Sequence, residues 1–433
     1  MTVVHDPLRI GSLTVRNRLY RAPVLEGAGS GPDAAEAYVK AFAPNAKAGV
    51  GLVIQGSACI FEEGRTSPGM TLVNTRQRVL ELRPVPDAVH LHGGSILLQA
   101  GHGGIYSMEA WHEPYASQRS GPIPAVSPLP RLIRAAFIGV PIHVMTTDEV
   151  HAMVTRYGEV AAWAREAGYD GFQLASANAK LLDQFLSPFY NKRTDEFGGS
   201  LEKRAHVLRL IRASVAERAG ADFPCLVKLP AEKAPPFTPR STAEEVVRLA
   251  KLCEEWGYDA VTPVEVSVLP DTTLSRGGVP AQLWRNNAIT TRFRAAAPSR
   301  FRRAVLTAGY VLGGKQHPFT PVWNRHLFRE VKKHVGIPVF AVGGIRTADE
   351  VASILGNDEA DMVGIGRPFY AEPDLPQRIL GGSREPVLCR NSNHCVPPQM
   401  LGMKGVCYNP DVKKEKAARA TTAGAGATPG TPG

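Results

Sequence analysis

The 433-residue chain has no apolar run long enough to cross a bilayer, and its opening, MTVVHDPLRIGSLTVRNR, lacks the apolar centre of a secretory leader. A membrane partner is therefore not expected, and a cytoplasmic location is. Cysteine is scarce, six residues in all, and in a reducing compartment these would not build a disulfide framework. Cys59, Cys225 and Cys253 lie within apolar segments and read as core residues. No GxGxxG follows any strand-like segment, which argues against a dinucleotide-binding sheet. A basic excess exists, 50 Lys and Arg against 40 Asp and Glu, a net charge of +10. Much of it sits between Arg276 and Lys315 and after Asp411, with no nucleic-acid-reading motif around it, so no nucleic-acid partner is expected. GYVLGGKQ, from Gly309 to Gln316, imitates a P-loop, but Gln316 stands where a magnesium-binding Ser or Thr is required.

What is present is a recurring unit. From Thr146 a capping residue, a Glu three positions on and apolar residues at helical spacing run to Gly168, and then to the strand-like YDGFQLA. Gly168 is expected to be a left-handed cap. The pattern returns from Thr242 through Gly257 to YDAVTPVEV, and from Thr347 to DMVGIG; AYVKAFAPNAKAG leading into VGLVIQG is an earlier copy. Helices alternating with short, uniformly apolar strands predict a parallel sheet covered by helices, and a closed (β/α)8 barrel of the α/β class is favoured. The expected barrel spans 1–380, a cysteine-containing extension 381–412, and a tail of disordered composition 413–433.

Barrel chemistry gathers where strands end and βα loops begin. This places Ala22, Pro23, Gln55, Gln99, His102, Asn178, Lys180, Lys228, Glu265, Gly343, Gly344, Gly366 and Arg367 on one rim. VFAVGGIR and MVGIGRPF close the series, and their glycines let backbone N–H groups approach an anion beside Arg367, the usual place for a phosphate. Glycines that merely permit tight turns are the alternative.

DPLRIGSLTVRNRLYRAPV, LLDQFLSPFYNKRTDEFGGSLEKR, VFAVGGIRTADEV and MVGIGRPFYAEPDLPQRI resemble the Old Yellow Enzyme, or NADH:flavin oxidoreductase, family over roughly Asp6 to Pro410. The resemblance implies FMN. Ala22, Pro23, Gln55 and Gln99 would line the ring system, Lys228 its N1/C2 carbonyl edge, and Gly343, Gly344, Gly366 and Arg367 the phosphate. A core amide at Gln99 and a rim ion pair at Lys228 remain open. NKRTDEFGGSLEKR reads as a structural loop held by ion pairs of Arg193, Asp195 and Arg204.

Three departures from the family pattern bear on activity. QLASANAK keeps Asn178 but has Ala175 where ene-reductases place a carbonyl-binding His; losing one such donor costs roughly 3 kcal/mol, about a hundredfold in rate. Lys180 replaces the proton-donating Tyr, and works as an acid only if burial tunes it. The third is CRNSNHCVPPQMLGMKGVC, Cys389-x2-Ser392-x2-Cys395-x11-Cys407, which resembles the iron–sulfur loop of one family branch with Ser392 in the second ligand position. A loop without metal, a three-cysteine cluster and a zinc site completed by His394 all remain open, and an iron–sulfur cluster is doubtful.

The resemblance implies an FMN-dependent oxidoreductase with NAD(P)H as co-substrate, passing hydride through flavin N5 to a small conjugated or amine-type substrate. Asn178 would bind that substrate, and Lys180 or Glu265 would move a proton. A redox-neutral or specialised-metabolism flavoprotein and a non-catalytic flavin binder are the alternatives; a homo-oligomer is compatible with each. A long insertion, starting about Arg276 and Trp284, is expected to shape substrate choice.

Overall fold

The structure, a computed structural model, describes residues 3–425 apart from 270, 272, 274, 279, 281–284 and 386; Trp284 lies outside the described residues. A hairpin, β1 (Leu8–Ile10) and β2 (Leu13–Val15), opens the chain. It is followed by β3 (Leu19–Arg21), β4 (Leu52–Cys59), β5 (Ser95–Gly101), a short pair β6 (Ile123–Ala125) and β7 (Ile142–Val144), then β8 (Gly171–Leu174), β9 (Cys225–Lys233), β10 (Ala260–Ser267), β11 (Phe340–Val342) and β12 (Met362–Ile365). One eight-stranded sheet runs β10-β9-β8-β5-β4-β3-β12-β11, with every pairing parallel. A bridge from Val261 to Val339, with the Val261 N–H donating to Pro338 O at 3.0 Å, joins its two ends. The expected barrel is the observed one.

Strand alternation sorts the side chains into two populations. Tyr20, Leu52, Ile54, Leu97, Leu226, Ala260, Phe340 and Met362 form one buried group inside the ring, and Leu8, Ile10 and Val15 of the hairpin join it as a floor. Their neighbours Leu19, Val53, Leu98, Phe172, Val227, Ala341 and Val363 pack outward against the helices. Each large apolar side chain so buried contributes about 1.5–3 kcal/mol.

The recurring unit is built as its sequence implies. Thr146 and Thr347 form complete capping boxes with Glu149 and Glu350. Thr242 caps Glu245 N–H, but the Glu245 carboxylate turns to Arg204 at 2.9 Å, so this box is half made. Gly168 and Gly257 take left-handed backbones directly after their helices, with φ of 95° and 82°. In the structural loop, Arg193 pairs with Asp195 as expected, whereas Arg204 reaches Glu245 and the Leu186 carbonyl.

The P-loop look-alike, set aside above, is part of a helix, Arg300–Gln316. One expectation needs correction: the tail, disordered by composition from 413, is helical over Pro410–Ala425. Val412 anchors that helix in a small apolar cluster with Ala371 and Leu388, and Glu415 is held between Arg390 at 3.1 Å and Arg419 at 3.2 Å. Composition cannot register such ion pairs, because Arg390 is distant in sequence. Among the described residues no helix is long and apolar enough to cross a membrane.

Gly364 faces the Tyr20 ring inside the barrel, where an added Cβ would come 2.2 Å from Tyr20 Cζ. Gly364→Ala is therefore expected to destabilise the fold by roughly 1–3 kcal/mol through overpacking. A lowered urea midpoint at unchanged slope is the expected reading.

Candidate active site

At the C-terminal ends of the strands the inward positions turn polar. Gln99 Nε2 donates to Gln173 Oε1 at 2.7 Å, and Gln173 Nε2 to Thr262 Oγ1 at 3.4 Å. Lys228 lies level with Thr262 in the β9–β10 register. Gln99 and Lys228 thus face the mouth together, joined by Gln173 and Thr262, which sequence reasoning missed. Their signal was available: a lone polar side chain within an apolar strand segment, Gln173 in GFQL and Thr262 in AVTPV.

The loop after β8 brings the second lysine. Ser176 Oγ donates to the Lys228 carbonyl, Ala177 packs with Val264, Val266 and Val342, and Asn178 stands exposed on a left-handed backbone, φ 72°. The Lys180 side chain runs back past Gly101, and its ammonium donates to Ser57 Oγ at 2.8 Å. Burial pulls Lys180 down to about 8. Burial, together with the neighbouring Lys180 charge, pulls Lys228 down to about 8 as well. His102 accepts from the Gly104 N–H through Nδ1, and burial drives it down to about 3, so it is neutral.

The turn after β12 lies four strands round the ring from β8, whose loop carries Lys180, while the turn after β11 is two strands from β9 and Lys228. Gly343 and Gly344 hold φ of 120° and 77°, and a Cβ on Gly344 would meet Trp323 Cδ1 at 2.7 Å, so both backbone sign and close packing require glycine. Among the described residues, no protein acceptor meets the N–H groups of Gly343, Gly344, Gly366 or Arg367. Arg367 donates to Arg276 O at 2.9 Å and Ser275 O at 3.4 Å, and also to Asn393 Oδ1. Arg276 in turn stacks over Trp323, 4.2 Å from the ring centroid. Unpaired N–H groups beside a guanidinium fit a phosphate monoester, and the apolar patch over the polar layer fits an attached ring system.

Two expected site residues stand elsewhere. Gln55 points out of the barrel, where alternation places it behind β4, and its Oε1 accepts from Tyr169 OH at 2.8 Å. Glu265 also faces away from the mouth: it pairs with Arg276 and, at 2.9 Å, with Lys233, while its N–H donates to Asn324 Oδ1. Asn324, buried and unforeseen, ties β10 to β11 through the carbonyls of Pro263 at 2.8 Å and Val342 at 3.1 Å.

The cysteine extension folds back over the mouth, with the Gly405 N–H on Glu26 O at 2.6 Å and the Gly278 N–H on Asn391 O at 2.9 Å. Cys389, Cys395 and Cys407 line one small pocket together with Ser392 and His394. Ser392 Oγ accepts from Asn409 Nδ2 and bonds His394 Nδ1, each at 2.8 Å, so it is committed to a hydrogen-bond network. Among the described residues, no three His, Cys, Asp or Glu side chains stand close enough to share a metal ion. This donor set does not fit a four-thiolate iron–sulfur cluster.

A family model described as the NADH:flavin oxidoreductase / NADH oxidase family matches residues 4–278 and 302–385. The chain belongs to that family. The family model leaves 279–301 unmatched, within the expected insertion. A metal reductase of Desulforamulus reducens is 27% identical over 94% of this chain and 53% of its own length. A 4,4'-dithiodibutanoate disulfide reductase of Rhodococcus erythropolis is 26% identical over 95% of this chain and 96% of its own. A cinnamate reductase of Clostridium sporogenes is 25% identical over 87% of this chain and 52% of its own. The chain thus spans about half the length of several curated relatives it matches. Among solved structures, a 2-naphthoyl-CoA reductase superposes with TM-score 0.73 at 20% identity over 95% of this chain and 58% of its own. Morphinone reductase with tetrahydroNAD superposes at TM-score 0.62 and 22% identity, over 88% and 91%. At such identities the superpositions show the fold.

For this flavin-family barrel two outcomes are expected. Arg367→Met should weaken FMN binding by about tenfold or more while leaving riboflavin, which lacks the phosphate, unaffected, as read by quenching of flavin fluorescence. Metal analysis of the purified protein should find far fewer than the roughly four irons per chain that a full cluster contains.

Proposed function

We propose that the chain is an FMN-dependent reductase that uses NAD(P)H to reduce a small conjugated substrate. The observation that carries this reading is the pairing of an unsatisfied N–H nest beside Arg367 with two half-buried lysines at the same barrel mouth. Bound FMN would supply the chemistry by accepting hydride from the nicotinamide and delivering it to the substrate through N5.

The residues have separable tasks. Gly343, Gly344, Gly366 and Arg367 bind the phosphate, and the backbone at Ala22 and Pro23 flanks the ring. Gln99, with Nε2 committed to Gln173, keeps Oε1 as an acceptor for a ring N–H. Lys228 holds positive charge beside the edge that turns negative on reduction. Ala177, Val264, Val266 and Val342 keep water from the ring face. Asn178 donates to the substrate carbonyl, and Lys180 supplies the proton that completes the reduction. Glu265 is left out of this assignment because Arg276 and Lys233 already hold it.

The test is a visible spectrum of the purified protein with steady-state NADH oxidation in the presence of cyclohexenone and of quinones. Flavin bands, bleaching by NADH and enone turnover support the proposal; flavin that reduces yet ignores every enone favours the redox-neutral alternative. Asn178→Ala is expected to lower kcat by about tenfold to a hundredfold. A lysine donor acts only while protonated, so with Lys180 at about 8 the rate should fall as pH rises through that value, and Lys180→Met should abolish that limb.

A further inference from the structure

The insertion between β10 and β11 carries two helices that orient their apolar sides differently. An amphipathic helix on a barrel ordinarily turns its apolar stripe to the core. Asn287–Ala296 does so, burying Ile289 and Ala296 in a cluster with Leu401. In Arg300–Gln316 the order is reversed. Phe301, Ala304, Val305, Ala308, Gly309 and Leu312, which fall on one side at helical spacing, are all exposed, Phe301 to 79% and Leu312 to 58%. A Cβ added to Gly309 would meet no described atom within 4 Å, so that side stands open. The rest of the helix surface ties it to the body. Arg302 donates to Ala110 O at 3.1 Å and stands 3.9 Å from Glu113, and Arg303 donates to the carbonyls of Ala297 and Pro298, each at 2.7 Å. Thr307 and Tyr310 are half-buried there, and Gly314 is buried. A stripe about 17 Å long, at 1.5 Å per residue, is thus held outward.

The charge around this stripe has one sign. From Arg285 to Lys315 the chain has seven basic residues and no Asp or Glu. Arg285, Arg292, Arg294, Arg300 and Lys315 are exposed. A contiguous exposed apolar face marks an interaction site, and here its occupant must be apolar and anionic at once. A second copy of the chain does not qualify: an antiparallel pair of these helices would set Arg300 against Lys315, and a parallel pair would set Arg300 against Arg300. Nucleic acid would answer the charge and leave the apolar stripe in water. A bilayer with acidic headgroups supplies both chemistries, and it accepts a convex helix without a matching groove. Among the described residues no helix can cross a membrane, a limit that leaves a helix free to lie in the headgroup layer.

We propose that the outward face of Arg300–Gln316 docks the protein on an anionic lipid surface, with Phe301, Val305 and Leu312 inserted among the headgroups and Arg300 and Lys315 against their charge. The inference goes beyond the reductase reading and does not depend on it, because lipid binding is read without flavin or turnover.

Co-sedimentation of the full chain with vesicles of mixed phosphatidylserine and phosphatidylcholine, and with vesicles of phosphatidylcholine alone, tests it. The mixed vesicles should bind at least about tenfold tighter, and added salt should weaken that binding. Phe301→Ser combined with Leu312→Ser should lower affinity for the mixed vesicles by about tenfold or more, with the urea midpoint unchanged because both side chains are exposed. Arg300→Gln combined with Lys315→Gln, which keeps the stripe, should reduce the preference for the mixed vesicles. Equal binding to both vesicle types, or binding that the serine pair leaves unchanged, overturns the proposal. So does a dimer of the native chain that the serine pair dissociates, which would assign the stripe to a second copy. Polyglutamate bound as tightly as the mixed vesicles would assign the surface to an acidic protein and overturn it too. Flavin bleaching and enone turnover bear on the reductase reading alone.

Discussion

Closure of eight parallel strands into a ring leaves each strand residue two directions, inward or outward, and the site depends on that constraint. The same alternation that stacks Leu52, Ile54, Leu97 and Leu226 in the interior carries Gln99, Gln173, Thr262 and Lys228 to the mouth two residues further along. Polar groups there cannot turn to bulk water, because their own strands and the Ala177 cluster enclose them. Gln99, Gln173 and Thr262 bond to one another instead, while Lys180 and Lys228 stand half-buried at the edge of that layer. The low dielectric that makes such a layer costly is also what lets a single charge act strongly on a bound molecule.

The mouth is organised as two unlike halves. On the β11–β12 side, donors come from backbone at glycines, with a guanidinium beside them; on the side running from β4 to β9 they come from lysines and a serine hydroxyl. Backbone donors at a turn are fixed by the fold and suit a permanent guest. Lysine side chains can change both position and charge, which suits molecules that come and go. Asn324 holds the first half together by bridging β10 and β11, and Ser176 fixes the second by bonding the Lys228 carbonyl.

Sequence alone disclosed the barrel, the glycine turns and both lysines. Apolar strands alternating with capped helices have few other solutions, and the glycines stand at strand ends. It misplaced Gln55 because being near a strand's C-terminal end says nothing about which face a residue takes; counting two residues back to Val53, which packs outward, would have settled it. It misjudged Glu265 because its partners Arg276 and Lys233 come from a loop and a neighbouring strand. The helix over Pro410–Ala425 escaped for a related reason: besides its own Glu415–Arg419 pair, its support comes from Arg390 and an apolar cluster. The last two misses concern contacts between separate segments of the chain, whereas Gln55 is a matter of local alternation.

The Arg367 guanidinium already spends its hydrogen bonds on the carbonyls of Ser275 and Arg276 and on Asn393, residues of the β10 loop and the cysteine extension. Any anion recruited by that side chain competes with those three tethers. Occupancy at this corner and the ordering of two distant stretches of chain are thus thermodynamically reciprocal: tightening either tether loosens the guest's hold, and a firmly seated guest slackens the tethers by the same free energy. Variation in the stretch after Ser275, remote from the reacting atoms, would then be felt as a change in cofactor retention.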